Sequence, residues 1–550
     1  MQTTREEQRK KPGLTFSNKL RYFALTLFIL FGSGYDISNP TIRTEETKKS
    51  LTLSSAMLKR MFENNVVSNH YKWGGALKSI YNAQDYIPLW TKGFSFTPQA
   101  EKLLSFFENP KKFGLDSTDF TPHKVRQAMR WMHTEKQLDN LIEARVKTDL
   151  IISHAALTAL IQLSEGVAFS RKNTYTPEEK SRIEALGKHL HILTSSAEAE
   201  DYMYTLHPDN PHLKRLLHAL EIYLIKHSGG TRLITSTTCD SILLQAVRER
   251  YIQEGFLHAD ENINDSILQQ ATLRFQMRYG LSLSGKLDHQ TCEALNKPVD
   301  YWFKKIALSI EKMKSDSMKY GPSILVNVPA YELYLIDTEK RMDTYRVMVG
   351  TPGNPTPEIT SEITKLVTNP HWVVPNSITQ GELIQRIKKD STFLTSRNFI
   401  IRDKNNNIID QTSINWQEVT ASSFEYVLQQ QPGLGNAMGK IKFLFPNRHL
   451  VYLHDTPSQR LFANNYRAFS HGCVRIQNPQ KLADKILSDL RRSEMYVTVK
   501  PLIKRGVTKE ITLDHPLPVY LRYYTAFSVD GENIMFYDDL YNREKIQTNL

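Results

Sequence analysis

The chain has 550 residues, too many for one ordinary hydrophobic core, so two to four domains are expected. Its composition, 40% hydrophobic, 10% aromatic and 23% charged, excludes an intrinsically disordered or low-complexity protein. The formal net charge of +12 would suit a polyanionic partner, but Lys and Arg are scattered and no nucleic-acid motif is present, so no nucleic-acid partner is expected.

In chain order, Arg5, Arg9, Lys10, Lys11, Lys19 and Arg21 precede the charge-free run "YFALTLFILF" (22–31). A basic flank followed by a short apolar core is the layout of an export signal. The run is shorter than the roughly 20 apolar residues of a membrane span, and no clear A-x-A cleavage site follows. Residues 1–35 therefore read as a signal peptide or an N-terminal membrane anchor. Export implies an oxidising compartment, where free thiols tend to pair. Of the three cysteines, Cys239 and Cys292 either form a disulfide or sit apart in the core; Cys473 is then the odd thiol and needs a chemical reason.

Residues 50–228 have a helical pattern; "TDLIISHAALTALIQLSEG" (148–166) is too densely apolar for a solvated face and suits packed helices. Within it, "YNAQDYIPLW" (81–90) is interrupted by Pro88 and reads as a docking turn. "HSGGTRLITSTT" (227–238) has the Gly and Ser/Thr content of a linker. Residues 239–298 read as a compact unit of two amphipathic helices before Gly280, a turn with Gly285 and a short helix after Asp288. After 320 the period becomes two. "SILVNV" (323–328), "YELYLID" (331–337) and "TYRVMVG" (344–350) suit an antiparallel meander. Strands are expected again at 440–445, 449–456 and 494–500, with an amphipathic helix at 479–490 and a helical insertion between about 375 and 435.

Chemistry concentrates in "AFSHGCVRIQNP" (468–479). A thiolate nucleophile needs a base or cation nearby. His471 lies two residues before Cys473, on the same face if the segment is extended; His454 ends "HLVYLHD" 19 positions upstream and could return across a sheet. Spacing alone does not choose between them. Gly472 permits a tight geometry in which amides face a developing oxyanion, and Arg475 is placed to hold a carboxylate. This chemistry supports acyl transfer through a thioester. A buried structural cysteine is the bland alternative. For a metal site, Cys239 and Cys292 lack ligand-like spacing, and His454, His471 and Cys473 have no dedicated fourth ligand.

"YLHDTP" followed by "RAFSHGCVRI" resembles the active-site signature of the L,D-transpeptidases, the YkuD-type cysteine enzymes of bacterial cell walls. "ILVNVPAYELYL", "VMVGTPGNPTP", "NPHWVVPNSI" and "QQQPGLGNAMGKIKFLFPN" extend the likeness to large YcbB-like periplasmic members. The resemblance implies a multidomain α+β protein. Its parts would be a helical scaffold (50–228), a three-helix peptidoglycan-binding module (239–298), a mostly-β catalytic domain (320–505) with a capping insertion (about 375–435), and a C-terminal extension (506–550) packing on scaffold or catalytic domain. The module is carried by Phe275-Gln276, Tyr279-Gly280-Leu281, Gly285 and Thr291, with Ser284 replacing the usual Asp of the turn. "IALSIEKMKSD" has Ser309 and Lys312 where relatives often carry an Asn-x-x-Arg pair, a departure expected to affect interdomain packing.

By the same resemblance Cys473 is the nucleophile, His454 its base, and Asp455 the base's orienting partner, through its backbone carbonyl or its carboxylate. Gly472 and Cys473 supply oxyanion amides; Tyr452, Ser470, His471, Arg475 and Trp372 line the substrate cleft, with Trp372 equally suited to packing at the base of the cap. The implied reaction joins peptidoglycan tetrapeptide stems, as donor and acceptor, into 3→3 crosslinks with release of D-alanine. It requires no cofactor and no metal. Hydrolysis of the same thioester, attachment of a lipoprotein lysine, and non-catalytic wall binding are the rival outcomes. A periplasmic location, an inner-membrane tether and inhibition by carbapenem β-lactams are further implications, as is a Cys473 thiol more reactive than free cysteine near neutral pH.

Overall fold

The computed structural model describes residues 40–544 except 94, 136, 197, 231–240, 262–263, 319, 338–340 and 489–498. The export segment, Cys239 and most of the strand expected at 494–500 lie outside the described residues. The chain forms two compact units, one from residues up to 107, 120–158 and 175–199, the other from 108–119, 159–174 and 200 onward.

The first unit is helical, with Pro40–Glu63, Gly74–Asn82 and Pro122–Thr134 packed with the first part of Leu138–Ser164. The apolar density of that long helix is broken by two buried charges, and both are fully hydrogen-bonded, as a low-dielectric interior demands. The Asp149 carboxylate accepts the Leu89 N–H at 3.0 Å, the Trp90 N–H at 2.8 Å and the Tyr81 hydroxyl. Trp90 Nε1 donates to Ser153 Oγ at 2.8 Å, and Arg145 Nε donates to Thr91 Oγ1 at 2.8 Å. The turn "YIPLW" is thus docked by its amides onto one carboxylate.

In the second unit, Ser241–Glu254, Asp265–Arg278 and His289–Asn296 make three helices. Asn264 and Asp288 cap the second and third by accepting the Ile267 and Thr291 amides. The turn between them is tied to the fully buried Gln276. Its amide nitrogen donates to Ser284 Oγ, Lys286 O and Thr291 Oγ1, and its oxygen accepts the Gly285 N–H. Gly285 sits at φ +64, a conformation that favours glycine. Ser284 also donates to Asp288 Oδ2 at 2.6 Å, so the serine completes the network. Helix Val299–Lys314 follows, where Ser309 accepts the Ala526 N–H and Lys312 bonds Tyr523 O and Glu544. The two departures from the expected pair therefore hold the chain's C-terminal segment.

The remainder is mostly β. Among the described residues, nine strands, β1 (Ser323–Asn327), β2 (Glu332–Ile336), β3 (Met342–Gly350), β4 (Ile359–Thr368), β5 (Ile441–Leu444), β6 (Leu453–His454), β7 (Ala468–Ser470), β8 (Val474–Ile476) and β9 (Lys509–Arg522), form a sheet in the order β7-β3-β8-β6-β5-β4-β9-β1-β2. β2 also pairs with β3, so the sheet curls back on itself. One face carries the core: Val347, Val349, Ile441, Phe443, Leu453, Val474 and Ile476 pack with Leu482 and Ile486 of helix Pro479–Leu487. Because side chains alternate along a strand, Lys442, His454 and Arg475 fall on the other face.

Three expectations change. The segment expected as a C-terminal extension from 506 instead supplies β9, a 14-residue strand between β4 and β1. Its exposed first half hid the signal: the alternation of Ile511 and Leu513 is broken before Leu517 by the exposed Asp514, His515 and Pro516. The expected strand at 494–500 gives way, from Val499, to helix Val499–Lys504. The insertion is helical in its first part, from Asn376–Ile378 to Phe393–Ser396, but it is not helical throughout: Trp372–Val373, Phe399–Arg402, Ile408–Ile409 and Val427–Gln430 build a four-stranded sheet with a separate small core.

Candidate active site

The β6–β8 pairing brings the two motifs together. The strands run parallel with Leu453 opposite Val474 and His454 opposite Arg475, and Tyr452 O accepts the Val474 N–H at 3.0 Å. Leu453 and Val474 enter the core, so Tyr452, His454, Cys473 and Arg475 share the opposite face, with Cys473 and His454 diagonal neighbours. This arrangement favours His454 over His471 as the thiol's partner.

His454 is buried, 4% exposed, and its Nδ1 lies 2.5 Å from the Asp455 carbonyl oxygen. A carbonyl only accepts, so Nδ1 carries the proton and Nε2 is left as the basic nitrogen. Burial, then the charges of Arg475 and Lys442, push the imidazole down to about 3, so it is neutral at physiological pH. The Asp455 carboxylate is engaged elsewhere, accepting the Lys440 N–H at 2.8 Å and Gln459 Nε2 at 3.0 Å. Gly439 leaves room for it: a Cβ there would lie 2.4 Å from the Asp455 side chain. Orientation of the base thus runs through the Asp455 backbone.

Burial pushes the Cys473 thiol up, against the opposing pull of a backbone bond at Tyr452 and the cations Lys442 and Arg475. The resting pair is therefore thiol and neutral imidazole rather than a preformed thiolate. The thiol faces Leu450 O at 3.9 Å. Leu450 has φ +53, a strained conformation for leucine, and Asn447 braces the turn by accepting the His449 and Val451 amides.

The nucleophile loop is held by its own atoms. Ser470, 2% exposed, donates to Cys473 O, and its Oγ accepts the Gly472 N–H at 3.1 Å. Ser470 is thus a staple of the loop rather than a lining residue of the cleft, and the Gly472 amide is already engaged. Behind the loop, Thr356 Oγ1 donates to Gly472 O and accepts the Gly350 N–H, each at 2.9 Å. Tyr541 Oη accepts the Thr356 N–H at 3.1 Å and donates to Gly350 O at 2.8 Å. Thr356 lies 117 positions before Cys473 and Tyr541 68 positions after it, too far for any local spacing to link them, and sequence reasoning gave neither a role.

His471, half-exposed, points to the cap and meets Glu382 at 3.3 Å; Glu382 also pairs with Arg386. Trp372 packs at the edge of the cap's core, its ring 6.3 Å from Phe399, which fits the packing role. Tyr452 is half-buried beneath the Lys442 ammonium, 3.6 Å from the ring centroid. Lys442, opposite His454 on β5, was quoted in the sequence motif without a role.

A buried neutral histidine oriented by a carbonyl thus shares one face of the sheet with a cysteine on a stapled glycine loop. Residues 321–503 match the YkuD L,D-transpeptidase catalytic domain, and residues 75–220 match a family described as a scaffold domain. The chain is 32% identical over 247 residues to a Haemophilus influenzae protein named "Putative L,D-transpeptidase", an alignment covering 45% of this chain. The chain spans about half the length of that curated relative, 49%. The chain therefore carries a YkuD-type L,D-transpeptidase catalytic domain together with a scaffold domain.

Proposed function

We propose that this protein is an exported L,D-transpeptidase that forms 3→3 crosslinks between peptidoglycan stem peptides, working in the periplasm behind a signal or inner-membrane anchor. The observation that carries this reading is the shared face of β6 and β8, with a neutral, carbonyl-oriented His454 diagonal to Cys473. His454 Nε2 takes the Cys473 proton as sulfur attacks the carbonyl between an L- and a D-centre of the donor stem. The Cys473 N–H stabilises the oxyanion, since the Gly472 N–H is held by Ser470. Collapse breaks the C–N bond, His454 returns the proton to the departing D-alanine amine, and a thioester remains. The amine of a second stem attacks the thioester, loses its proton to His454, and releases sulfur as the thiol. No cofactor enters this sequence, and the cap, tied to the nucleophile loop by His471 and Glu382, is suited to limiting water at the thioester stage.

The test is mass spectrometry of products from disaccharide-tetrapeptide, with Cys473→Ala alongside. A dimer lighter than two substrates by one D-alanine, absent in the variant, supports crosslinking. Tripeptide without dimer makes the protein a hydrolase or a transferase to another acceptor, such as a lipoprotein lysine. No product, with no adduct of a carbapenem at Cys473, sinks the enzymatic reading in favour of a wall-binding protein.

A further inference from the structure

Lys442, His454 and Arg475 form one row across three adjacent strands: Lys442 is directly opposite His454, and His454 directly opposite Arg475. Strand spacing sets the two cations about 10 Å apart at the backbone, one on each side of the imidazole. Among the described residues, neither cation forms an ion pair with a carboxylate. The Arg475 Nε is buried with no hydrogen-bond partner, and the Lys442 ammonium meets only the Tyr452 ring among the partners described, at 3.6 Å. Two half-buried cations on one face are costly unless anions meet them. The Cys473 thiolate would balance one charge at most, and once acylated it balances none.

We propose that Lys442 and Arg475 together form a two-cation anchor for the donor, recognising a peptide with one carboxylate on the residue before the scissile bond and one on the residue after it. The assignment of Lys442 as a substrate-anchoring residue rests on the stem-peptide reading above. The cation–π contact with Tyr452 holds the ammonium in place while the site is empty, and ligand carboxylate draws on the same charge. Between the two anchors the scissile carbonyl falls over the thiol and the base. The chemistry selects a donor with two free carboxylates over one whose side-chain carboxylate is amidated.

Two measurements test this on the full chain. First, the rates at which iodoacetate and iodoacetamide alkylate Cys473 are followed on the Cys473 peptide. Their ratio cancels any change in thiol ionisation and reads attraction for a carboxylate alone. In Lys442→Gln the ratio is expected to fall about tenfold, with Lys442→Arg retaining it and the exposed control Lys365→Gln leaving it unchanged. Second, Lys442→Gln is expected to raise KM about tenfold for a tetrapeptide donor with free carboxylates, with little change in kcat, and to leave KM for an amidated donor unchanged. An unchanged alkylation ratio, or equal loss for both donors, overturns the anchor and leaves Lys442 a packing residue. If wild type turns over neither donor but the ratio behaves as expected, the stem-peptide reading fails and the anionic site stands.

Discussion

The catalytic sheet and the cap are built from the same kinds of residue but to different depths. Among the described residues, thirty-one buried side chains form the core beneath the catalytic face, whereas seven form the separate core of the cap, so the cap is the part expected to open first. Cys473, His454 and Arg475 stand on the deep core through Leu453 and Val474; Glu382 and Trp372 ride on the shallow one. The difference teaches where order is concentrated: the Cys473–His454 pair rests on the deeper core, and the insertion that contacts its loop through Glu382 rests on the shallower one.

The sharpest break of that comparison is on the catalytic sheet. His454→Gln should lower kcat by about 10³-fold with the fold intact, because a positioned general base contributes on that order; circular dichroism beside the product assay checks both halves. Next, Gly350→Ala would place a Cβ 2.1 Å from Asn354 O and 2.8 Å from Thr356 N, both backbone atoms behind the nucleophile loop. It should cost about 3 kcal/mol by urea unfolding, as overpacking of a tight site does. A comparably crowded substitution is not available in the cap, where Gly381 has open space.

Acid should act on the helical parts and on the catalytic sheet alike. Burial holds His454, His207 and His212 at about 3 and His154 at about 4, against ordinary values near 6.5. Between those limits the unfolded chain binds more protons than the folded one, so stability rises with pH there and is lost as pH falls from about 6.5 towards 3. Thermal midpoints should fall steadily over that window, and midpoints that stay level from pH 7 to 4 would contradict the neutral buried histidines. The smallest effect belongs to the cap. Glu382→Gln removes the charge facing a half-exposed His471, a contact worth no more than about 1 kcal/mol. Hydrogen exchange in the cap should quicken by less than about fivefold, with the catalytic sheet unchanged.

Much of the site was legible because strand alternation is a local code. "YLHD" and "HGCVR" each place their polar residues two apart, so once both are strands their functional side chains share a face. For Asp455 the sequence leaves two routes open, carbonyl or carboxylate, and only the packed structure, with Lys440 and Gln459 holding the carboxylate elsewhere, separates them. The resemblance places Ser470 in the cleft; its two bonds within the loop are invisible until the loop is folded.

By itself the sequence determined the local periods, the turn and cap residues, and the candidate nucleophile and bases, because each depends on neighbours within a few positions. Tertiary structure alone decided which strands lie side by side. Parallel pairing of β6 with β8 selected His454 over His471, and antiparallel pairing of β5 with β6 set Lys442 beside the base. The insertion of β9 between β4 and β1, and the reach of Tyr541 to Thr356, belong to the same class. Such contacts form between segments far apart in the chain, and their free energy comes from the shared core rather than from any pattern written in either segment.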